Sequence, residues 1–286
     1  MINIQLGFRA FDPHELLCHF VAVHAGLYRR EEIQVELMDI TFMADDALAP
    51  GICQASCGAA LSSALKGSPQ RIVFVAADRP MFWLYGRHDL NRIEELAGAR
   101  IATFPAAAPP HQLANMILDK HGISSEDGVS LMPARDDVAR LGLLNSGDVD
   151  AAVISSSMSP EKIRQMGFNR LCFFGDEIRI PTTGLAVHDS FLVREPDSVQ
   201  AMVNALKDSL PVIQKNPEVT AEVLNRYFDL ENNLAVQTAG LYSRCFTDHG
   251  RTTPEIAQGA INALCKSLSI SPVPDWEKIY RFSFLC

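Results

Sequence analysis

The sequence lacks any concentrated run of basic residues. Its 25 Lys and Arg are scattered among 34 Asp and Glu, for a formal net charge of -9. A nucleic-acid surface needs clustered positive charge, so no nucleic-acid partner is expected. The sequence also lacks an apolar run of the roughly 18 residues that a membrane span needs. A membrane-spanning segment is therefore not expected. The N-terminus does not show the order of basic, apolar and small residues that marks a secretory leader. Instead Ile2-Asn3-Ile4-Gln5-Leu6-Gly7-Phe8 alternates like a strand at once. The expected compartment is cytoplasmic for the sequence as written, and periplasmic if a leader has been removed.

A disulfide framework is missing too. Seven cysteines, an odd number, stand far apart at positions 18, 53, 57, 172, 245, 265 and 286. Reduced and mostly buried thiols fit that pattern better. Cys53 and Cys57 form the only close pair, and no second pair or His-x-His follows at zinc spacing. His14, His19 and His24 are five apart, which puts them on different faces of a helix. No metal and no cofactor is expected.

What the chain does contain is a long α/β pattern. Ile2–Phe8 reads as a strand, His14–Ala25 as a helix closed by Gly26, and Ile33–Leu37 as a second strand. A short strand is expected at Ile52–Ala55, then a small-residue helix over Gly58–Lys66. Arg71–Ala77 is a continuous apolar run, suited to a buried parallel strand. From Leu90 to Phe168, strand-like and helix-like runs alternate almost without interruption, as a self-contained α/β lobe would. Phe82–Tyr85 and Gly184–Val187 flank it and read as two crossings. The expected lobes are thus residues 1–83 with 188–286, and 84–187. The last third reads as four helices over 197–214, 217–228, 234–246 and 254–268.

Two phrases carry a family resemblance. The first is Phe20-Val21-Ala22-Val23-His24-Ala25-Gly26-Leu27-Tyr28, leading to Ile33-Gln34-Val35-Glu36-Leu37. The second runs from Leu96-Ala97-Gly98-Ala99-Arg100-Ile101-Ala102 through His121-Gly122 to Ser146-Gly147-Asp148-Val149-Asp150-Ala151. Both resemble the NMT1/THI5-like and SsuA/TauA/NrtA-like group of substrate-binding proteins. The resemblance implies the two-lobed type II periplasmic-binding-protein fold, with each lobe a mixed, mostly parallel sheet flanked by helices. It implies a ligand cleft between lobes that close by hinge motion. An ABC importer permease is the implied partner.

Ligands of open α/β sheets sit outside the carboxyl ends of strands, where helix N-termini present N–H groups. Each strand-to-helix junction therefore yields candidates. The first offers Phe11 for stacking, His14 for hydrogen bonding and Arg9 for an anion, although Asp12 and Pro13 also suit a plain helix cap. The second offers Ser56 and Cys57, the third Asp78 and Phe82. At the fourth, Phe104-Pro105-Ala106-Ala107-Ala108-Pro109-Pro110-His111 leaves His111 as the main polar side chain. Anion-binding relatives carry Gly and Ser in this turn, whereas here alanines supply no hydroxyl and two prolines remove N–H donors. The fifth offers Ser155 and Ser156, and the return crossing offers Thr182 and Thr183. Asp45-Asp46 and Asp136-Asp137 read as caps or solvated surface.

The expected ligand is a small organic molecule of modest charge, and no catalytic residue is expected. The resemblance extends to the pyrimidine precursor synthases of thiamin biosynthesis. Those enzymes carry a Cys-rich signature before the strand matching Gly184–Val187. Here that stretch is Arg179-Ile180-Pro181-Thr182-Thr183-Gly184, without cysteine. A different enzyme on the same scaffold, a decarboxylase or lyase, and a stand-alone ligand sensor are the other readings.

Overall fold

The structure is a computed structural model that describes residues 1–44, 47–106, 108–123 and 127–285. Asp45, Asp46, Ala107 of the Ala/Pro turn and Cys286 lie outside the described residues. The chain divides into two compact units, Met1–Arg79 with Ile180–Cys286, and Pro80–Arg179. Each is built on its own five-stranded sheet.

Unit one begins with β1 (Ile2–Phe8), α1 (Pro13–His24), α2 (Leu27–Arg30), β2 (Ile33–Asp39), β3 (Ile52–Ser56), α3 (Cys57–Leu65) and β4 (Gln70–Ala77). Unit two holds β5 (Phe82–Gly86), β6 (Arg100–Thr103), α4 (Pro109–Lys120), β7 (Ser130–Pro133), α5 (Asp137–Ser146), β8 (Ala151–Ser155), α6 (Pro160–Gln165), β9 (Asn169–Phe173) and α7 (Phe174–Glu177). The chain then returns to unit one as β10 (Thr183–His188), α8 (Asp189–Arg194), α9 (Pro196–Lys215), α10 (Pro217–Phe228), α11 (Asn232–Tyr242) and α12 (Pro254–Leu268).

The sheet of unit one runs β2-β1-β3-β10-β4, and that of unit two β7-β6-β8-β5-β9. In each, the fourth strand is antiparallel to both neighbours. That strand is also the first one after the chain enters the unit. Phe82–Tyr85 and Gly184–Val187 are therefore not crossings: both are hydrogen-bonded on two sides inside their sheets. The chain passes between units earlier, after Arg79 and after Arg179.

Strand β4 corrects another expectation. It is almost wholly buried, as its apolar run implies, but it pairs antiparallel with β10 and stands last in the sheet. Its burial comes from the C-terminal part of the chain, which covers the open edge. Ile72 N donates to Ile279 O at 2.9 Å and Val75 N to Gly250 O at 2.7 Å, while Thr247 N donates to Ala76 O at 2.7 Å. A buried strand needs such partners for its peptide groups.

Close packing between β3, β4 and β10 depends on Gly184. A Cβ there would lie 2.0 Å from Phe74 O and 2.9 Å from Cys57 Sγ. Backbone cannot yield as a side chain can, so Gly184→Ala should destabilise unit one by about 1–3 kcal/mol or more. A lowered urea midpoint would register this, and an unchanged midpoint would contradict the packing.

In unit two, a charged clasp joins the end of α4 to two neighbouring segments. His121 Nδ1 lies 3.0 Å from Glu94 Oε1, and its Nε2 lies 3.1 Å from Glu177 Oε2. Lys120 Nζ donates to the same Glu177 oxygen at 2.9 Å. Burial opposes ionisation of Glu177, but hydrogen bonds from Lys120 and His121 outweigh it and hold its carboxyl below the ordinary value. Glu94 is lowered by its backbone amide and by His121. A carboxyl lowered on folding stabilises the fold above its unfolded pKa, about 4.3, and that gain is lost as pH falls through the folded value. Denaturant titrations from pH 7 to pH 3 should therefore show less loss for Glu177→Gln than for the wild type. Parallel curves would remove the clasp from the acid response.

Candidate functional site

The predicted residues of unit one gather at one edge of its sheet. The carboxyl ends of β1, β3 and β4 lie there, together with the start of antiparallel β10. Ser56 pairs in register with Thr183, and Thr183 with Ala77, next to Asp78. Asp12 caps α1 by accepting from Glu15 N at 3.1 Å, and Pro13 takes the first helical position. This sets Phe11 at the mouth of the turn, 55% exposed. Its ring stands 5.6 Å from Phe8, 5.8 Å from Phe20 and 5.9 Å from Phe228, so an aromatic cluster supports one face and leaves part of the ring uncovered. His14 is buried, with Nδ1 3.4 Å from Asp12 Oδ1 and its ring 5.9 Å from Tyr242.

Other residues of this edge are committed to structure. Ser56 Oγ accepts from Ala59 N at 3.3 Å and caps α3. Cys57 has no exposed surface; its thiol donates to Phe74 O at 3.6 Å, so it turns away from the edge into unit one. Burial pushes that thiol well above its ordinary pKa. Asp78 is buried and accepts from Thr252 Oγ1 at 3.1 Å. Thr183 is buried, and the neighbouring Thr182 donates from Oγ1 to Ala77 O at 3.1 Å. Arg9, read above as an anion partner, instead donates from its guanidinium to Met43 O at 3.0 Å and Ile40 O at 3.3 Å.

Glu15 was not among the candidates. An acidic residue three positions after a helix cap normally reaches back to the cap's own amide. Here it reaches further, accepting from Arg9 N at 2.8 Å and Ala10 N at 3.0 Å. Burial, reinforced by Asp12, pushes its carboxyl up to about 8 despite those bonds. The Asp12-x-x-Glu15 spacing was the visible signal, and it announced a cap rather than a carboxyl raised by burial at the candidate edge.

The candidates of unit two gather at the corresponding edge of the second sheet. Phe82 pairs in register with Ser155. Its ring packs edge-on against Phe104 at 5.2 Å and Phe174 at 6.1 Å. Ser155 Oγ and Ser157 Oγ are 2.7 Å apart, and Ser156 N donates to Met81 O at 3.1 Å. His111 Nδ1 lies 3.2 Å from Phe104 O, a carbonyl that can only accept. Nδ1 therefore carries a proton, and whenever the ring is neutral Nε2 is left as an acceptor.

Beneath this edge lies a residue that sequence reasoning missed. Arg140 is buried in α5 with its guanidinium 3.6 Å from the centre of the Phe104 ring. It donates to Val153 O at 2.7 Å, Ala134 O at 3.1 Å and Asp137 Oδ1 at 2.5 Å. The same Asp137 oxygen accepts from Ser155 N at 3.0 Å. Asp136 does cap α5, but Asp137 is the counterion of a buried cation rather than solvated surface. Nothing in Asp136-Asp137-Val138-Ala139-Arg140 distinguishes this from an ordinary exposed helix pair.

Removing one partner of a buried ion pair leaves the other charge uncompensated, at a cost of about 3–5 kcal/mol. Arg140→Met should therefore destabilise unit two by that order and loosen Phe104. Arg140→Met with Asp137→Asn should recover part of the loss. Denaturant unfolding of both variants checks this, and an additive pair of losses would contradict the coupling.

Comparison with known proteins gives the fold and the family. Among curated proteins, none matches the sequence. Among solved structures, the chain is similar to the putative sulfonate-binding SsuA from Methylobacillus flagellatus, with a TM-score of 0.78, 13% identity, and coverage of 99% of this chain and 92% of the other. It is similar to the alkanesulfonate-binding SsuA from Xanthomonas axonopodis pv. citri bound to MOPS, with a TM-score of 0.74, 15% identity, and coverage of 98% and 99%. It is also similar to the desulfurization enzyme DSZB, with a TM-score of 0.70, 15% identity, and coverage of 99% and 97%. These likenesses show the periplasmic-binding-protein fold, which hosts both binders and an enzyme. The family model described as NMT1/THI5 like matches residues 15–220, and the chain belongs to that family.

Proposed function

We propose that the protein is a small-molecule binding protein whose ligand is organic and of modest charge, held at the strand ends described above. The observation that carries this reading is the chemistry of the edge in unit two. It offers the Phe82 and Phe104 rings, the His111 Nε2 acceptor and the Ser155 and Ser157 hydroxyls. Its buried cation, Arg140, is consumed by Asp137 and two carbonyls. An oxyanion needs converging donors, whereas this set suits a ring that donates hydrogen bonds. Glu15, with a carboxyl pKa near 8, adds no strong donor array in unit one. Delivery of the ligand to an ABC importer permease is the role that family membership supports. Cys57, buried with its thiol held protonated, lends no support to a cysteine-nucleophile enzyme.

The test is calorimetry on the full chain against nitrate, alkylsulfonates, phosphonates, aromatic acids and pyrimidines. Ring-bearing ligands should bind best. Phe11→Ala and Phe82→Ala should each weaken binding by about 2- to 12-fold or more, from the about 0.5–1.5 kcal/mol an aromatic contact adds beyond its area. Thermal melts should show both variants folded. Tight binding of nitrate or a simple alkylsulfonate, untouched by either substitution, would overturn the proposal.

A further inference from the structure

The turn after β2 holds an aromatic side chain that the fold of unit one does not use. Strand β2 runs parallel to β1 and ends at Asp39, so the residues that follow it stand at the candidate edge. Residues 40–43 form a tight turn, closed by Met43 N donating to Ile40 O at 3.1 Å. Phe42 is the third residue of that turn and is 99% exposed. Among the described residues no other large apolar side chain stands so fully in water.

The backbone that carries this ring is fixed. Ile40 is buried, and its N donates to Phe8 O at 2.9 Å. Thr41 N donates to Asp39 Oδ1 at 2.9 Å, and Thr41 Oγ1 donates to Arg9 O at 2.8 Å. The Arg9 guanidinium donates to Met43 O at 3.0 Å and Ile40 O at 3.3 Å. The turn of Phe42 is thereby laced to the turn of Phe11, on the side where Glu15 holds the amides of Arg9 and Ala10.

One exposed apolar residue on a surface needs no explanation. Here two exposed rings project from turns bonded to each other, at the edge where the candidate residues of unit one gather. Burial of the Phe42 ring contributes nothing to the fold, whereas Ile40 and Thr41 supply the packing and bonds that shape the turn. A ring already held in place loses little freedom when it is covered, so contact with it adds to affinity at low entropic cost. Aromatic faces are covered best by another flat ring, in offset stacking or edge-to-face contact. We infer that Phe42 is a second aromatic contact, beside Phe11, for a ligand whose ring is flat. The inference rests on the reading of this edge as a ligand site, and it narrows the ligand to planar aromatic or heteroaromatic compounds.

The experiment is calorimetry on the full chain with two flat probes and their puckered counterparts, which carry the same polar groups: uracil against 5,6-dihydrouracil, and benzoate against cyclohexanecarboxylate. At least one flat probe should bind more tightly than its counterpart, by about 2- to 12-fold. Phe42→Ala should leave the melting temperature unchanged. It should weaken the flat probe by about 2- to 12-fold or more and erase most of the preference for flatness, and Phe42→Trp should restore both. If Phe11→Ala weakens the flat probe and Phe42→Ala does not, this inference fails while the reading of the edge stands. The same holds if neither flat probe binds but other ring-bearing compounds do, or if puckered and flat probes bind alike. If no ring-bearing compound binds, both fall. Sedimentation of the wild type and of Phe42→Ala covers the remaining occupant: self-association that disappears in the variant would assign the ring to a contact between copies and overturn the inference.

Discussion

A buried strand at the margin of a sheet must find partners for one whole row of its peptide groups. In this protein that strand is β4, and the requirement organises unit one. The row is answered by Thr247 and Gly250, between α11 and α12, and by Ile279 and Arg281 near the end of the described chain. The C-terminal helices are thereby tied to the sheet by backbone as well as by apolar burial. The tie is tight: Gly250, with a φ of +74°, sits where a Cβ would lie 2.4 Å from the Phe74 ring. Covering the edge in this way also removes an open template for pairing with other chains.

The candidate edges follow from strand direction. Each sheet has an antiparallel fourth strand, so its start lies beside the carboxyl ends of the others. Phe82 and Thr183 reach those edges for that reason, although neither follows a parallel strand. The two edges differ in chemistry. In unit one, the edge carries a partly uncovered Phe11, a raised Glu15, and buried Asp78 and Thr183. In unit two, aromatic rings and an acceptor histidine rest on a neutralised Arg140. At both edges, arginines that could have met an anion are spent within the protein: Arg9 on two carbonyls and Arg140 on Asp137.

Much of the fold was legible because its signals are local. Alternation in Ile2–Phe8 and the cap at Asp12 act within a few residues of where they stand. Strand direction was less accessible. An apolar run like that of β4 reports burial, but not whether a parallel neighbour or a distant segment supplies it. The crossings were misplaced by a few residues for the same reason, since an extended apolar segment looks alike inside a sheet and between two. Side-chain commitments were least legible. Arg9 and Arg140 spend their charge on carbonyls and on a carboxylate brought near only by folding, and Cys57 faces inward because of a close approach by β10.

The pairing of β4 with β10 has a consequence for the architecture as a whole. The chain leaves unit one just after Ala77 and comes back just before Thr183, and those two residues are already partners across the sheet. Thr182 N donates to Ala77 O at 2.9 Å and Ile180 N to Asp78 O at 2.8 Å, so the exit and the return are laced together. In topological terms, the hundred-odd residues between them form an insertion into a single hairpin. A tight turn in their place would leave every strand of the first sheet with its neighbours. The second unit is thus a module that the first carries on one loop, open to exchange without redesign of its host.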